Sequence, residues 1–529
     1  MKIKLFWIRY KVFFYTIFLV LFSFLFNQYY AFTGVLPVDS FSTFNAGYEI
    51  LNGSFPFKDF WTIKGPALDI LQALYFKIFG ISWLSYSIHS SSFNSFFALA
   101  TFFTFCKIDL KIKYAFFYSL LASILMYPTY GVPFTDHHAA IFCMLSVYSL
   151  CLAIIKKRAI YWFLIPIFLF LGFFVKQTPV GYFGILITFV SIFYLIKNYK
   201  FNIILIVLLS SVILIIIFFL FIFFYEIPLE SFLIQYLLFP LSLGETRLEW
   251  LLPFEFQRFI FRYKLIYISL SIPIFLLFKN FFKNLASIFE IENLVFLLLV
   301  GTLLLFVTHQ LMTINGLFIY FLIPVFSGFS HKFSEKFKNK KILFNFFIIL
   351  SLISTFYYHQ KYIIKRDTLL LRNVNLNNAI DSVVLDKKLR GLKWITHHYP
   401  NNPNDEINYL LDSIKEISKD HRKKMLVTDY QFISLVLGTK DNSAARIWWR
   451  HHIYPEPNKP YFNEWKKFLF KKIIKENIDV IYTIKPLEGE SNIFEGLIKN
   501  DCYSTKRINE ILFEQTLIKC KELELLYKW

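Results

Sequence analysis

The sequence predicts an α-helical polytopic membrane protein of about eleven transmembrane helices, followed by a C-terminal soluble α/β domain. Its 529 residues are 56% hydrophobic and 21% aromatic but only 17% charged, whereas soluble proteins carry about 25% charged residues. The apolar residues form long blocks, and basic residues collect in alternate loops between them. These observations exclude a soluble enzyme with a single core and a disordered chain.

The formal net charge of +20 would suggest a nucleic-acid partner if the chain were soluble. Much of the basic excess, however, lies in short loops between apolar blocks, where it fixes the orientation of a membrane protein. The predicted partner of this surface is therefore the lipid bilayer, and no nucleic acid is expected.

The apolar blocks match the length of membrane helices, because a bilayer core requires about 20 mostly apolar residues per helix. The first block follows Lys2, Lys4 and Arg9 and lacks a small-residue cleavage signature, so it is predicted to be a retained helix rather than a signal peptide. The predicted spans lie near residues 12–31, 83–105, 114–130, 138–155, 160–175, 180–196, 201–225, 263–279, 291–309, 316–330 and 342–358.

Loop charges give the spans an orientation. With the N-terminus inside, the inner loops are rich in lysine and arginine, and they cover residues 107–113, 156–158, 197–200, 279–283 and 332–341. The outer turns near 131–137, 176–179 and 310–315 contain one lysine between them, Lys176. This asymmetry follows the positive-inside rule, and an odd number of helices then places everything after residue 358 outside.

Three outer regions exceed the length of a turn, namely 32–82, 226–262 and 359–529. In the first of them, Pro66 to Phe79 is short for a span and contains Asp69, Gln72 and Lys77. The sequence therefore predicts an amphipathic helix that lies in the membrane interface. Counting it as a span would reverse the orientation of every later loop and break the charge pattern.

The C-terminal region has shorter apolar runs and more charge than the rest. Met425–Thr428 and Asp479–Thr483 are predicted to be buried strands, while Ile407–Ile417 and Glu464–Ile474 have the spacing of amphipathic helices. The predicted domains are accordingly a membrane domain, 1–358, which includes the first outer loop, and an external α/β domain, 359–529.

Two cysteines, Cys502 and Cys520, fall in the external domain. A disulfide between them is possible in an oxidising compartment. Two free or buried thiols are an equally open alternative, because sequence spacing does not fix the distance between two side chains.

Acidic residues near the ends of membrane helices are costly and require a reason. Asp39 follows the first helix, and Asp136 lies in the next outer turn, so both are expected at the same membrane surface. Each has an alternative role as the N-cap of the segment that follows it. His137 and His138 are adjacent, and adjacent side chains diverge on a helix, which makes them a poor metal site.

Further polar residues at the predicted outer face are candidates for the same site. Their alternative role is solvation of helix ends, with long side chains reaching the interface. They are Lys176, Gln177, Arg247 and His309. The sequence contains no phosphate-binding glycine loop, serine-hydrolase elbow or zinc-protease motif.

The first outer loop resembles that of the GT-C glycosyltransferases. The resemblance is to the bacterial branch that contains protein O-mannosyltransferases, the lipid A aminoarabinose transferase and related lipopolysaccharide-core enzymes. It covers about residues 1–358, and the matching pieces are Asp39, Gly53, Pro56, Asp59-Phe60 and Lys64-Gly65-Pro66.

The resemblance implies transfer of a sugar from a polyprenyl-phosphate donor to an acceptor at the outer, periplasmic face of a bacterial inner membrane. Asp39 stands at the position of the family's acidic residue that acts on the acceptor hydroxyl, and Lys64 at that of a lysine that meets the donor phosphate. Asp136 matches a second acidic residue that shapes the site, and Arg247 is a further candidate phosphate contact from its loop position alone.

The sequence also departs from the family. The Asp-Glu pair of many mannosyltransferases is here Asp39-Ser40, so a divalent metal is possible but has no support. The acceptor, whether a glycan, a lipid such as lipopolysaccharide or a protein, remains open, as does the sugar. Three rivals remain: an O-antigen polymerase or ligase, favoured by Arg247, Arg258 and Arg262 in one outer loop; a lipid-linked sugar flippase; and a membrane scaffold that displays the external domain.

Overall fold

The predicted apolar blocks fold as helices. In the computed structural model the described residues are 2–249, 255–313, 318–487 and 502–518, together with 494, 497 and 499. The helices of the first two thirds of the chain are α1 Lys2–Ala31, α2 Pro37–Ser40, α3 Ser42–Leu51, α4 Pro66–Phe79, α5 Trp83–Lys107, α6 Ile112–Leu125, α7 Thr135–Lys156, α8 Ala159–Phe173, α9 Gln177–Lys197, α10 Phe201–Phe224, α11 Leu229–Ser242, α12 Gly244–Glu249, α13 Lys264–Ser269, α14 Ser271–Lys283, α15 Ile291–Thr313, α16 Leu322–Phe333 and α17 Lys340–Tyr358.

Within the described part of the chain, six helices are long and apolar enough to cross a membrane: α1, α7, α9, α10, α15 and the helix that begins at Lys340. Others at predicted spans, such as α6 with 14 residues and α16 with 12, are shorter than the usual 20 or so. α5 is 25 residues long but carries serines, and Asn27 of α1 donates to the hydroxyls of Ser90 and Ser91. The predicted class, a mostly helical membrane protein, is confirmed.

The chain divides into two compact units. The first comprises residues 1–31, 87–219 and 246–368, and the second comprises 32–86, 220–245 and 369–529. The first outer loop therefore belongs to the same unit as the C-terminal region. The boundaries of these units differ from those of the predicted linear domains, 1–358 and 359–529. That each predicted domain folds independently remains a prediction.

The long apolar helices differ in how much of their surface is buried in the protein. α7 is the most buried of the six long apolar helices, with 94% of its apolar window buried, whereas the corresponding window of α10 is only 11% buried. α10 exposes large side chains such as Leu208, Ile215 and Phe219. Because so much apolar surface is costly in water, this helix is built to face lipid.

The second unit contains the remaining regular structure. Its C-terminal helices are α18 Pro403–Lys419, α19 Ile433–Leu437 and α20 Phe462–Lys475, and its strands are β1 Ile380–Asp381, β2 Lys393–Trp394, β3 Lys424–Thr428, β4 Val480–Ile484, β5 Tyr503–Arg507 and β6 Leu512–Leu517. The main sheet has the order β3-β4-β6-β5, in which β3 and β4 are parallel and the other pairs are antiparallel. The short strands β1 and β2 form a separate antiparallel pair.

The predicted strands at 425–428 and 479–483 correspond to β3 and β4, and the predicted helices at 407–417 and 464–474 to α18 and α20. The predicted interfacial helix Pro66–Phe79 has the bounds of α4. β5 was not predicted, because four of its five residues are exposed and it lacks the apolar alternation of a half-buried strand.

Candidate active site

Asp39 lies in the short helix α2, which starts with Pro37 at a position that favours helix initiation. The capping positions of α2 and α3 are held by Leu36 and Phe41, and neither cap makes a side-chain hydrogen bond. Asp39 therefore does not act as the N-cap of the following helix, which was its alternative role.

The carboxylate of Asp39 pairs with the ammonium group of Lys64. Asp39 Oδ1 is 4.0 Å from Lys64 Nζ, and the side chains are 24% and 16% exposed. This distance is that of an ion pair and is longer than a hydrogen bond. The structure thus brings together the two first-loop residues predicted for chemistry, a proton acceptor and a fixed cation, at a site that solvent reaches.

The segment that carries Lys64 is held from two sides. Gln235 of α11 accepts a hydrogen bond from the Thr62 amide (3.1 Å) and donates one to the Phe57 carbonyl (3.2 Å). On the other side, Trp61 pairs with the C-terminal region, since its amide donates to the Ala444 carbonyl at 2.8 Å and its indole Nε1 donates to the Ile453 carbonyl at 2.9 Å. These bonds fix the backbone three residues before Lys64.

A buried ion pair that the sequence does not predict lies near Lys64. Asp69 of α4 and Arg446 pair closely, with side chains 0% and 2% exposed, and Arg446 Nη2 donates to Thr43 Oγ1 at 3.0 Å. Burial raises the pKa of Asp69 to about 6, although Arg446 and Lys64 both act to lower it. The two partners are 377 residues apart in sequence, so no local pattern could have linked them.

Asp59, another first-loop candidate, has the contacts of a turn residue. Its Oδ2 accepts a hydrogen bond from the Phe55 amide at 2.9 Å, and its Oδ1 lies 3.6 Å from Lys475 Nζ. Its side chain is 6% exposed. It closes the turn that leads to Trp61, and a role in chemistry remains a prediction.

Asp136 belongs to the first unit, in the first turn of α7, whose N-cap position is occupied by Phe134. Its Oδ1 accepts from Lys176 Nζ at 2.5 Å and lies 3.4 Å from His309 Nε2. The Asp136 and His309 side chains are 5% and 2% exposed. Three predicted site residues therefore form one closed, hydrogen-bonded cluster.

A further cation lies near this cluster. Arg247 of α12 is close enough to Asp136 to interact with its charge, and burial lowers the pKa of Arg247. The cluster and Arg247 therefore offer cationic groups to a polar ligand. Gln177 follows Lys176 as the first residue of α9.

The adjacent histidines turn to different partners. His137 Nε2 lies 2.7 Å from Thr129 Oγ1, whereas His138 contacts the Tyr127 hydroxyl and, at 3.1 Å, His89 Nε2. Among the described residues no group of three or more histidine, cysteine or acidic side chains is arranged to hold a metal ion.

The loop arginines that favoured the polymerase rival have separate roles. Arg258 Nη2 donates to the Leu311 carbonyl at 2.9 Å, and Arg262 interacts with the hydroxyl of Tyr320. In the C-terminal region Cys502 is disulfide-bonded, while Cys520 lies outside the described residues, so the pairing of the two remains a prediction.

No protein-family model matches the sequence, and no curated protein matches it. Among solved structures the chain is similar to the crystal structure of ArnT from Cupriavidus metallidurans bound to undecaprenyl phosphate, with 10% sequence identity and a TM-score of 0.44. The match covers 95% of this chain and 97% of that chain.

Proposed function

We propose that the protein is a membrane glycosyltransferase that moves a sugar from a polyprenyl-phosphate donor to an acceptor hydroxyl at the periplasmic face of the inner membrane. The observation that carries this proposal is the Asp39–Lys64 pair, 4.0 Å apart and partly exposed, in a loop of a membrane-embedded chain. Such a pair suits a reaction in which one group loses a proton while another gains negative charge.

In the proposed reaction Asp39 accepts the proton of the acceptor hydroxyl. The hydroxyl oxygen forms a bond to the anomeric carbon, and the bond between that carbon and the phosphate oxygen breaks. Its electron pair stays on the leaving polyprenyl phosphate, where the ammonium group of Lys64 stabilises the added charge. A single displacement of this kind inverts the configuration of the sugar.

Asp136 suits a different role in this proposal. Because its carboxylate is buried and bonded to Lys176 at 2.5 Å, it is poorly placed to accept a proton from a substrate. We assign it to the orientation of Lys176 and His309, and we retain Arg247 as a candidate phosphate contact.

The test is sugar transfer in membranes supplied with a panel of radiolabelled polyprenyl-phosphate sugars. Asp39→Asn keeps the size of the side chain but removes the base, and we expect a rate loss of about 10²–10⁴-fold. Lys64→Gln removes the cation and should lower kcat by about 10²–10³-fold, by analogy with the loss of one group that stabilises an oxyanion.

The matched controls come from a similar pair in the same unit. Lys393 Nζ lies 3.6 Å from Asp381 Oδ2, with side chains 53% and 38% exposed. Asp381→Asn and Lys393→Gln should therefore leave transfer unchanged. Wild-type rates in Asp39→Asn at equal expression would contradict the mechanism, and movement of the labelled lipid without transfer would favour the flippase rival.

A further inference from the structure

Arg446 of the C-terminal region lies close to the candidate active site. The backbone of residues 444–446 pairs with Trp61, since the Arg446 amide donates to the Trp61 carbonyl at 2.9 Å. This pairing places the Arg446 guanidinium against two residues of the first outer loop, Asp69 and Thr43. The side chain is 2% exposed, so it does not serve as a surface charge.

Asp69 lies between two cations. Arg446 binds its Oδ2, while Oδ1 has no hydrogen-bond partner among the described residues. Lys64 is close enough to interact with the Asp69 charge and also pairs with Asp39 at 4.0 Å. Lys64 thus has two carboxylates within reach, those of Asp39 and Asp69. A buried carboxylate that has lost its own cation attracts a nearby one.

We infer that Arg446 is a positioning residue that neutralises Asp69 and thereby keeps the ammonium group of Lys64 at Asp39. This inference rests on the proposed function, in which Lys64 at that place stabilises the leaving phosphate. It gives the C-terminal region a defined part in catalysis, because the region supplies the charge that decides where the first-loop lysine lies.

The surroundings of Asp69 make the effect dependent on pH. Its interacting charged neighbours are Arg446 and Lys64, and the buried Tyr86 interacts with Asp69, Asp39 and Arg446. Without Arg446, Asp69 can be satisfied by a proton at low pH, but at high pH it ionises and draws Lys64 away. A variant that lacks Arg446 should therefore lose more activity as the pH rises.

The first experiment compares transfer by wild type, Arg446→Gln, Asp69→Asn and the double variant. We expect kcat of Arg446→Gln to fall about 100-fold, as for a misplaced reacting group, with a larger loss at high pH. Asp69→Asn removes the competing carboxylate, so the double variant should recover most of the activity and lose the added pH dependence. Arg446→Lys retains the positive charge and should keep part of the transfer activity that Arg446→Gln loses.

Lys475→Gln is the matched control. Lys475 is also a cation of the C-terminal region that pairs with a first-loop carboxylate, Asp59, but its side chain is 57% exposed. Its removal should change neither kcat nor the pH profile. If kcat of Lys475→Gln fell as far as kcat of Arg446→Gln, any ion pair between the C-terminal region and the first outer loop would have the same effect. That result would overturn the specific role of Arg446.

The second experiment does not depend on activity. Trace acetylation of the folded, purified protein, read by mass spectrometry, reports the reactivity of Lys64. We expect the acetylation rate of Lys64 to change several-fold in Arg446→Gln and to return to the wild-type value in the double variant. Wild-type reactivity of Lys64 in folded Arg446→Gln overturns the inference, as does a double variant that remains like Arg446→Gln.

The two experiments separate the two proposals. Absence of transfer by the wild type with every donor would contradict the proposed function, while the labelling of Lys64 would still decide the role of Arg446. If Arg446→Gln does not fold, Arg446→His takes its place, because its imidazole is charged at low pH and neutral at high pH. The labelling of Lys64 in Arg446→His should then match wild type at low pH and depart from it as the pH rises, and a match at every pH overturns the inference.

Discussion

Asp39 and Asp136 follow or precede membrane helices in similar sequence settings, but the structure gives their carboxylates opposite surroundings. Asp39 is 24% exposed and 4.0 Å from its cation, whereas Asp136 is 5% exposed and bonded to Lys176 at 2.5 Å. The first arrangement allows an exchange of protons with a substrate, and the second holds a charge in place. The sequence could nominate both acids, but their surroundings depend on residues distant in the chain.

The Asp136–Lys176 pair predicts an effect on stability. Lys176→Gln removes the ammonium group that is bonded to the buried Asp136 carboxylate and leaves His309 and the charge of Arg247 near it. Breaking a buried pair costs about 3–5 kcal/mol. Removing both charges in Asp136→Asn/Lys176→Gln should restore most of the loss. The measurement is the thermal melting of the purified protein in detergent.

The control for this stability test is Lys332→Gln in the same unit. Lys332 pairs with Glu335 at 2.6 Å, with side chains 22% and 39% exposed, and such pairs contribute about 0–1 kcal/mol. An equal fall in melting temperature for Lys176→Gln and Lys332→Gln would show that the Asp136 pair has no special weight.

At the scale of elements, helix α3 joins the first outer loop to the C-terminal region. Asn45 Nδ2 donates to Asp441 Oδ2 at 2.9 Å, and the Asp441 amide donates to Glu49 Oε1 at 3.1 Å. Burial and the neighbouring Asp441 carboxylate together raise the pKa of Glu49 to about 8, while the Asp441 amide and Lys472 act to lower it. The buried carboxylate of Glu49 on α3 thus lies beside the half-buried Asp441 of the C-terminal region.

This face predicts the pH dependence of stability. Between its ordinary pKa near 4.5 and about 8, folded Glu49 keeps a proton that the unfolded chain has released. The free energy of unfolding should therefore fall as the pH rises through this window and level off above it. Melting temperatures between pH 5 and 9 measure the slope.

Glu49→Gln should flatten that slope, because the amide does not titrate. Glu464→Gln is the control, since Glu464 is an exposed acid of α20 in the same unit, and it should leave the slope unchanged. A slope that persists in Glu49→Gln would assign the pH dependence to another group.

At the scale of the whole molecule, the orientation in the membrane remains a prediction from loop charge. With an odd number of spans, the C-terminal region lies outside and the loop before α17 lies inside. A cysteine at Lys419, the last residue of α18, should react with a membrane-impermeant maleimide in intact cells that have a permeable outer envelope. A cysteine at Lys340, the first residue of α17, should react only after lysis.

Both positions are exposed lysines at helix ends, so each serves as the control for the other. The reverse labelling pattern would place the first outer loop in the cytoplasm and contradict the proposed site of transfer.

Composition and apolar length, which are local quantities, were enough to predict the class of the protein and most of its helices, and α4 was predicted to the residue from its length and polar residues. Asp39 was nominated by its place after the first helix, and Lys64 by the resemblance of the first outer loop to the GT-C glycosyltransferases. Local patterns also sufficed for β3, β4, α18 and α20.

Which of these residues meet depends on the packing of elements that are distant in the chain. The Asp69–Arg446 pair, the bond of Gln235 to Thr62 and the closed cluster at Asp136 join residues 40 to 377 positions apart. Such contacts leave no periodic signal, because each partner is fixed by the packing of its own element. The physical reason is burial: a charge removed from water must find its counter-charge wherever the fold places one.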